Sequence, residues 1–144
     1  MAVDDDAYFL DRDAITNLVA EFQKEKRLGA VTCNLVGPHE TPVDTDRYIE
    51  VFTTGFTMVP RKVYTEWVGY NPDIFFGAAN ETYMCSRLWD IGRPAKRLCS
   101  VRMYHEFPTQ GRPRNWKFYT LRDQILCAMM CDPWYLLPFR LFSK

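Results

Sequence analysis

Two periods of apolar residues run along this chain, one of three to four residues and one of two, and they divide it into helices and strands. Ile15, Leu18, Val19 and Phe22 recur at i, i+3, i+4 and i+7, which predicts a helix with Asn17, Glu21, Lys24 and Glu25 on its polar side. Asp13 stands at its capping position, Lys26 and Arg27 supply cations near its end, and Gly29 stops it. A second helix is predicted over 80–91, with Met84, Cys85 and Leu88 on one stripe and Gly92 and Pro94 behind it. A third runs over 115–131 and ends before Pro133. Residues 30–36 read as a strand, and in 98–105 alternation puts Val101, Met103 and His105 on one face. Shorter strand pieces are expected at 1–3, 48–52 and 55–59, and Pro60 opens a short helix through 67. The segments at 37–42, 71–73 and 108–113 are loops. Helices alternating with strands predict an α/β domain.

Composition narrows the class. At 144 residues the chain is expected to form one domain, and 47% apolar with 25% charged residues suits a packed core rather than disorder. Eighteen basic and 18 acidic residues balance, so no overall field favours nucleic acid. Cys33, Cys85, Cys99, Cys127 and Cys131 are odd in number and lack a CxxC pair, which excludes a complete internal disulfide framework and zinc-ribbon spacing. Free thiols in a reducing, cytoplasmic setting are the expectation, and Cys127 and Cys131 share a helix face. The first ten residues are acidic, unlike a secretory signal, and no apolar run reaches the roughly 18 residues of a membrane span. Residues 134–142 are apolar and aromatic with Arg140 among them and Lys144 just beyond, which reads either as a packed tail or as a peripheral membrane contact.

Three places carry candidate chemistry. Asp4, Asp5 and Asp6 are adjacent like charges, which either sit solvated or share a divalent cation of the Mg²⁺ or Mn²⁺ kind. Glu81 lies on the apolar stripe in the first turn of its helix. Burial raises a carboxylate pKa and a helix N-terminus lowers it, so Glu81 reads as a general base or as a cap of its own helix. His105 ends a strand on its apolar side, where ligands of α/β sheets gather, or is a satisfied core histidine. His39 carries no signal, and Asp44 with Asp46 reads mainly as a turn or strand entry. Arg112, Arg114 and Lys117, interleaved with Trp116 and Tyr119, form either a solvated surface or a patch for a diphosphate or sugar.

Taken in order, Asp4-Asp5-Asp6-Ala7-Tyr8, the helix ending Lys26-Arg27-Leu28-Gly29, Gly55-Phe56-Thr57-Met58-Val59-Pro60, Phe75-Phe76-Gly77, Asn80-Glu81-Thr82-Tyr83 and Val101-Arg102-Met103-Tyr104-His105 resemble one family. The chain resembles the C-terminal portion of a family 2 glycosyltransferase with a GT-A fold, close to the rhamnosyltransferase-like branch. The resemblance spans nearly the whole chain as one partial domain: 1–36 with the metal motif, 54–107 with the acceptor and base region, and 114–144 with the last helix and apolar tail. It implies an inverting, metal-dependent transfer from a nucleotide-sugar donor to a carbohydrate or lipid-linked acceptor, in cell-surface glycan synthesis. It implies Mn²⁺ or Mg²⁺ on Asp4, Asp6 and His105, with Glu81 as base. It implies donor contacts from Asp5, Arg112 and Arg114, and acceptor contacts from Gly55, Phe56, Phe76, Gly77, Asn80 and Trp116. Asn80 and Tyr83 stand where many members carry further acids, which leaves Glu81 as the base. The family's N-terminal half, which holds most contacts to the nucleotide, is not in this sequence, so weak or absent activity of this chain alone and self-association through an incomplete sheet are expected. A non-catalytic carbohydrate-binding derivative of the fold and a metal-dependent phosphohydrolase are the alternatives.

Overall fold

The computed structural model describes residues 1, 6–38, 40–68, 75, 79–106 and 114–142. The strand piece expected at 1–3, the loop expected at 71–73, and His39, Asp4, Asp5, Phe76, Gly77 and Arg112 lie outside the described residues.

The protein is a mixed α/β structure built on β5 (Ala95–His105). On one edge β5 pairs in parallel with β2 (Ala30–Val36). On its other edge it carries two short antiparallel strands at opposite ends, β1 (Ala7–Phe9) against 103–105 and β3 (Arg47–Ile49) against 95–97. The two-residue β4 (Thr57–Met58) closes the far side of β2. β2 is buried on both faces, as an inner strand must be, and its alternation sorts two cores. Val31, Cys33 and Leu35 point to the side of α1 (Ala14–Lys24), where they meet Leu18, Leu28, Phe56, Val101 and Met103. Ala30 points to the other side, toward α3 (Asn80–Asp90), in a core with Ile49, Phe52, Val63, Met84, Cys85, Leu88 and Ala95. Short α2 (Arg61–Val63) widens into a π turn over Tyr64–Val68, so a helix does follow Pro60. Beyond the sheet, α4 (Trp116–Cys131) packs on α3, and a 3₁₀ turn (Trp134–Leu136) leads into α5 (Leu137–Phe142).

The first helix forms where expected but is turned about its axis. Its buried residues are Ala14, Leu18 and Glu21, whereas Ile15 and Val19 are exposed at 46% and 42%. The cause is an ion pair. Lys96 reaches from β5 into the helix–sheet seam, and its Nζ lies 2.6 Å from Glu21 Oε1 and 3.8 Å from Glu25 Oε2. A half-buried ammonium is held best by a carboxylate beside it, so Glu21, assigned by pattern to the polar side, goes inward. The hydrogen bond from Lys96 to Glu21 also holds the lysine pKa above its ordinary value. Asp13 occupies the cap position without making a side-chain cap bond.

β5 begins earlier than the expected 98 and is not regular. Thr32 pairs with Arg97, but two residues later Asn34 pairs with Arg102, so 98–101 bulge out of register. Side chains satisfy that backbone. The Asn34 amide donates to Cys99 O (3.2 Å) and Val43 O (2.8 Å), and its oxygen accepts Val43 N–H at 2.8 Å. Asp46 accepts Cys99 N–H at 2.9 Å. Its partial burial opposes ionisation, yet the bond to Cys99 keeps the carboxyl below the usual range. At 55–59 a strand piece is replaced by a 3₁₀ turn (Thr54–Phe56) running into β4, because Thr57 Oγ1 bonds back to Thr53 O at 2.7 Å.

The amino ends of β2 and β5 are locked to the end of α3 at Gly29. A Cβ there would lie 2.4 Å from Arg93 O and 2.7 Å from Leu88 Cδ2, and Gly29 N–H bonds Pro94 O at 3.0 Å. Both obstacles belong to buried or backbone structure, so overpacking should cost about 1–3 kcal/mol. Gly29→Ala is expected to lower the urea midpoint by that amount with an unchanged m-value. A midpoint equal to that of the native chain would show that the seam is loose.

Candidate functional site

The carboxyl end of β5 brings titratable groups together. His105 follows Val101 and Met103 on the α1 side and is buried, in line with the alternation. Ala7 is its partner across β1, and Glu106 N–H bonds Asp6 O at 3.0 Å. That pairing sets the Asp6 side chain beside the ring, with Oδ1 3.5 Å from Nε2. On the other side of the ring Glu40 Oε1 lies 3.5 Å from Nδ1. Glu40 arrives there because Gly37 passes close to the strand end. A Cβ at Gly37 would fall 2.6 Å from His105 O, so only glycine fits. The Phe56 ring packs on the imidazole with centroids 4.7 Å apart. Phe56 is itself fully buried, which places it beneath the histidine rather than on an open surface. Gly55 is buried beside it.

This geometry bears on metal binding. Two ligand bonds of about 2.1 Å at right angles hold their donors about 3 Å apart, and Asp6 Oδ1 and His105 Nε2 stand 3.5 Å apart. That pair fits two neighbouring corners of one coordination sphere. Glu40 does not join it, because it faces Nδ1, on the other side of the ring from Nε2. Among the described residues no cluster of three or more His, Cys, Asp or Glu side chains is arranged to hold a metal.

Glu81 stands half-buried in the first turn of α3, with Met84, Cys85 and Leu88 buried below it as the stripe requires. α3 and the His105 ring belong to opposite faces of the sheet. The end of α3 meets the amino ends of β2 and β5, so its first turn points toward their carboxyl ends, the end His105 occupies. Asn80, also half-buried, precedes Glu81. Trp116 opens α4 half-buried, and Arg114 is exposed just before it. Asp46 has gone to the β5 bulge, and Asp44 is exposed.

A cavity of about 340 Å³ lies between α3 and α4, within the size range of small-ligand pockets. Ala79, Thr82 and Ser86 line one wall, Cys127, Ala128 and Cys131 the other, with Glu50 and Asp132 at its rim. Cys127 and Cys131 have their sulfurs 4.0 Å apart. The hydrogen bond from Cys127 lowers the Cys131 thiol to about 7, against its partial burial. Burial pushes Cys33 and Cys85 up to about 12. All five cysteines are free.

Glu40 is the residue that pattern reading missed. It sits in a loop with no period, and its only trace in the sequence is the glycine three positions earlier. Cys131 was legible only as half of an i, i+4 pair. No family model, no curated protein and no solved structure matches the chain.

The cysteine pair gives a direct expectation. A thiol alkylates as its thiolate, so Cys131 labelling should rise with pH through a midpoint of about 7. Cys33 and Cys85 should stay unlabelled in the native protein. Cys127→Ala should move the Cys131 midpoint up toward the ordinary thiol value of about 8.5. Mass-mapped iodoacetamide kinetics read all of this, and a midpoint indifferent to Cys127→Ala would contradict the assigned cause.

Proposed function

We propose that this chain is part of a GT-A-type, inverting glycosyltransferase that uses a nucleotide-sugar donor and a hydroxyl acceptor. The observation that carries this reading is the approach of Asp6 to Nε2 of His105 where β1 meets the end of β5. An acidic run at one strand entry and a histidine at the end of its neighbour form a donor pair for a divalent cation. Asp6 and His105 would hold that cation, with Asp4 two positions earlier in the sequence as a further oxygen donor. A nitrogen ligand favours Mn²⁺ over Mg²⁺. When bound, the cation supplies charge neutralisation for a diphosphate leaving group.

The remaining roles fall to the chain's own groups. Glu40, facing Nδ1, favours the tautomer that carries its proton there and turns the Nε2 lone pair toward Asp6. Phe56 fixes the ring plane from below. Glu81, in the first turn of α3, takes the acceptor hydroxyl proton onto its carboxylate as that oxygen attacks the anomeric carbon. The bond to the leaving phosphate oxygen breaks on the opposite side, so the configuration inverts. Asn80 and Trp116 are the acceptor contacts, and Arg114 belongs to the donor side.

Two measurements test separate parts. Calorimetric titration with Mn²⁺ should give one site in the native chain, weakened about tenfold or more in Asp6→Ala and in His105→Ala. In a longer chain that also carries the N-terminal half of the resembled family, Glu81→Gln should leave that titration unchanged while slowing sugar transfer by about 10²- to 10⁴-fold. Equal metal binding by Asp6→Ala and the native chain rules out the metal reading. In that longer chain, Mn²⁺ binding without any transfer or donor hydrolysis favours the carbohydrate-binding alternative.

A further inference from the structure

The last fifth of the chain presents an apolar surface that its own fold leaves open. On α4, Phe118, Leu121 and Met129 fall on one side at i, i+3 and i+11 and are exposed at 66%, 55% and 61%. Half-buried Ile125 completes the stripe at i+7. Beyond Pro133, Trp134 (81%) and Phe139 (73%) stand out further, with Tyr135 and Leu136 between them. Trp134, Tyr135, Leu136 and Phe139 are therefore not packed against the fold. Leu121 and Ile125 stand where the stripe meets the cavity against α3, and Phe118 and Met129 carry it away from that cavity.

The charges here are segregated. Residues 114–144 hold Arg114, Lys117, Arg122, Arg140 and Lys144 against Asp123 and Asp132 only, a net +3 in a chain whose total is zero. Asp123 is fully buried with Arg122 on its carboxylate at 2.6 Å, and Asp132 is half-buried. Arg114 and Lys117 are exposed. The rest of the chain carries the balancing −3.

These facts choose among occupants. A second copy meeting this face symmetrically would bring the exposed cations Arg114 and Lys117 of both copies to one interface with no exposed acid on 114–131 to offset them, which repels. An anionic lipid surface instead attracts the cations and accepts the apolar side chains. Trp and Tyr, apolar bodies with a polar tip, are the residues that settle at a headgroup boundary. Among the described residues no helix is long and apolar enough to cross a membrane, so the arrangement suits lying in the interface rather than spanning it.

We propose that the outer stripe of α4 and the 134–142 segment form one docking surface for an anionic phospholipid bilayer. Docking lays α4 along the headgroups, with α3 and its first turn on the protein side of that helix. This holds whether or not the chain transfers sugar.

The test is co-sedimentation of the native chain with vesicles of phosphatidylcholine alone or of phosphatidylcholine mixed with phosphatidylglycerol. Binding to the mixed vesicles should be about tenfold stronger or more and should fall with added salt. Brominated lipid should quench tryptophan fluorescence, and Trp134→Phe should remove most of that quenching. The double variant Trp134→Ser with Phe139→Ser should lose about tenfold in partitioning. Lys117→Glu, at an exposed position that cannot unfold the core, should also weaken binding, but only to the anionic vesicles. No vesicle binding, or binding unchanged in both variants, overturns the proposal. So does a native dimer that Phe118→Ser converts to a monomer, because a second copy is then the occupant.

Discussion

Everything in this fold hangs on hydrogen bonding along both edges of β5. The strand takes β2 on one side and β1 and β3 on the other, so four segments distant in sequence meet on one backbone. The long contact separation means that β1 and β3 gain position only once β5 is in place. β5 in turn holds its bulge because Asn34 and Asp46 occupy the peptide groups that the ladder leaves free. A buried peptide group without such a partner costs about 1–3 kcal/mol, so these two polar side chains matter to the sheet as much as its apolar ones do.

The site grows from the same strand. β5 delivers His105 to the end where β1 brings Asp6, and the Gly37 turn brings Glu40 to the opposite ring nitrogen. The imidazole is held from three directions, counting Phe56 beneath it. A ring so fixed has little freedom left to lose when it takes a ligand, which favours tight and selective binding. Glu81 belongs to the helix on the other face of the sheet, and its path to the histidine end runs along α3. In the proposed reaction the sheet itself therefore sets the spacing between base and cation.

Much of the fold is visible in the sequence wherever one face of an element is apolar and one partner covers it. The helix at 80–91 and the alternation Val101, Met103, His105 are of that kind, whereas the helix at 115–131, whose apolar stripe is exposed, is legible from its length and the Pro133 behind it. α1 fails that condition. Its rotation is set by Lys96, about 75 residues away, and no local period encodes a charge entering from another strand. Glu40 was hidden for a related reason, since a loop residue acquires its place from the close passage of Gly37 and not from a repeat. The β4 region shows the third kind of failure. Residues 55–59 have strand composition, but one threonine hydroxyl tied back to Thr53 O converts half of them into a turn.

The shortness of the outer strands has its own consequence for how copies of this chain meet. β1 and β3 offer three residues each and β4 two. A strand of that length exposes only one or two outward-facing amide groups, too few to template a growing cross-β stack. β4 reaches only Val31 and Thr32 of β2, and β1 and β3 reach only the two ends of β5. Each stub offers a neighbour's strand only a short ladder, so any pairing of copies through this sheet would have to use the part of β2 that β4 does not reach.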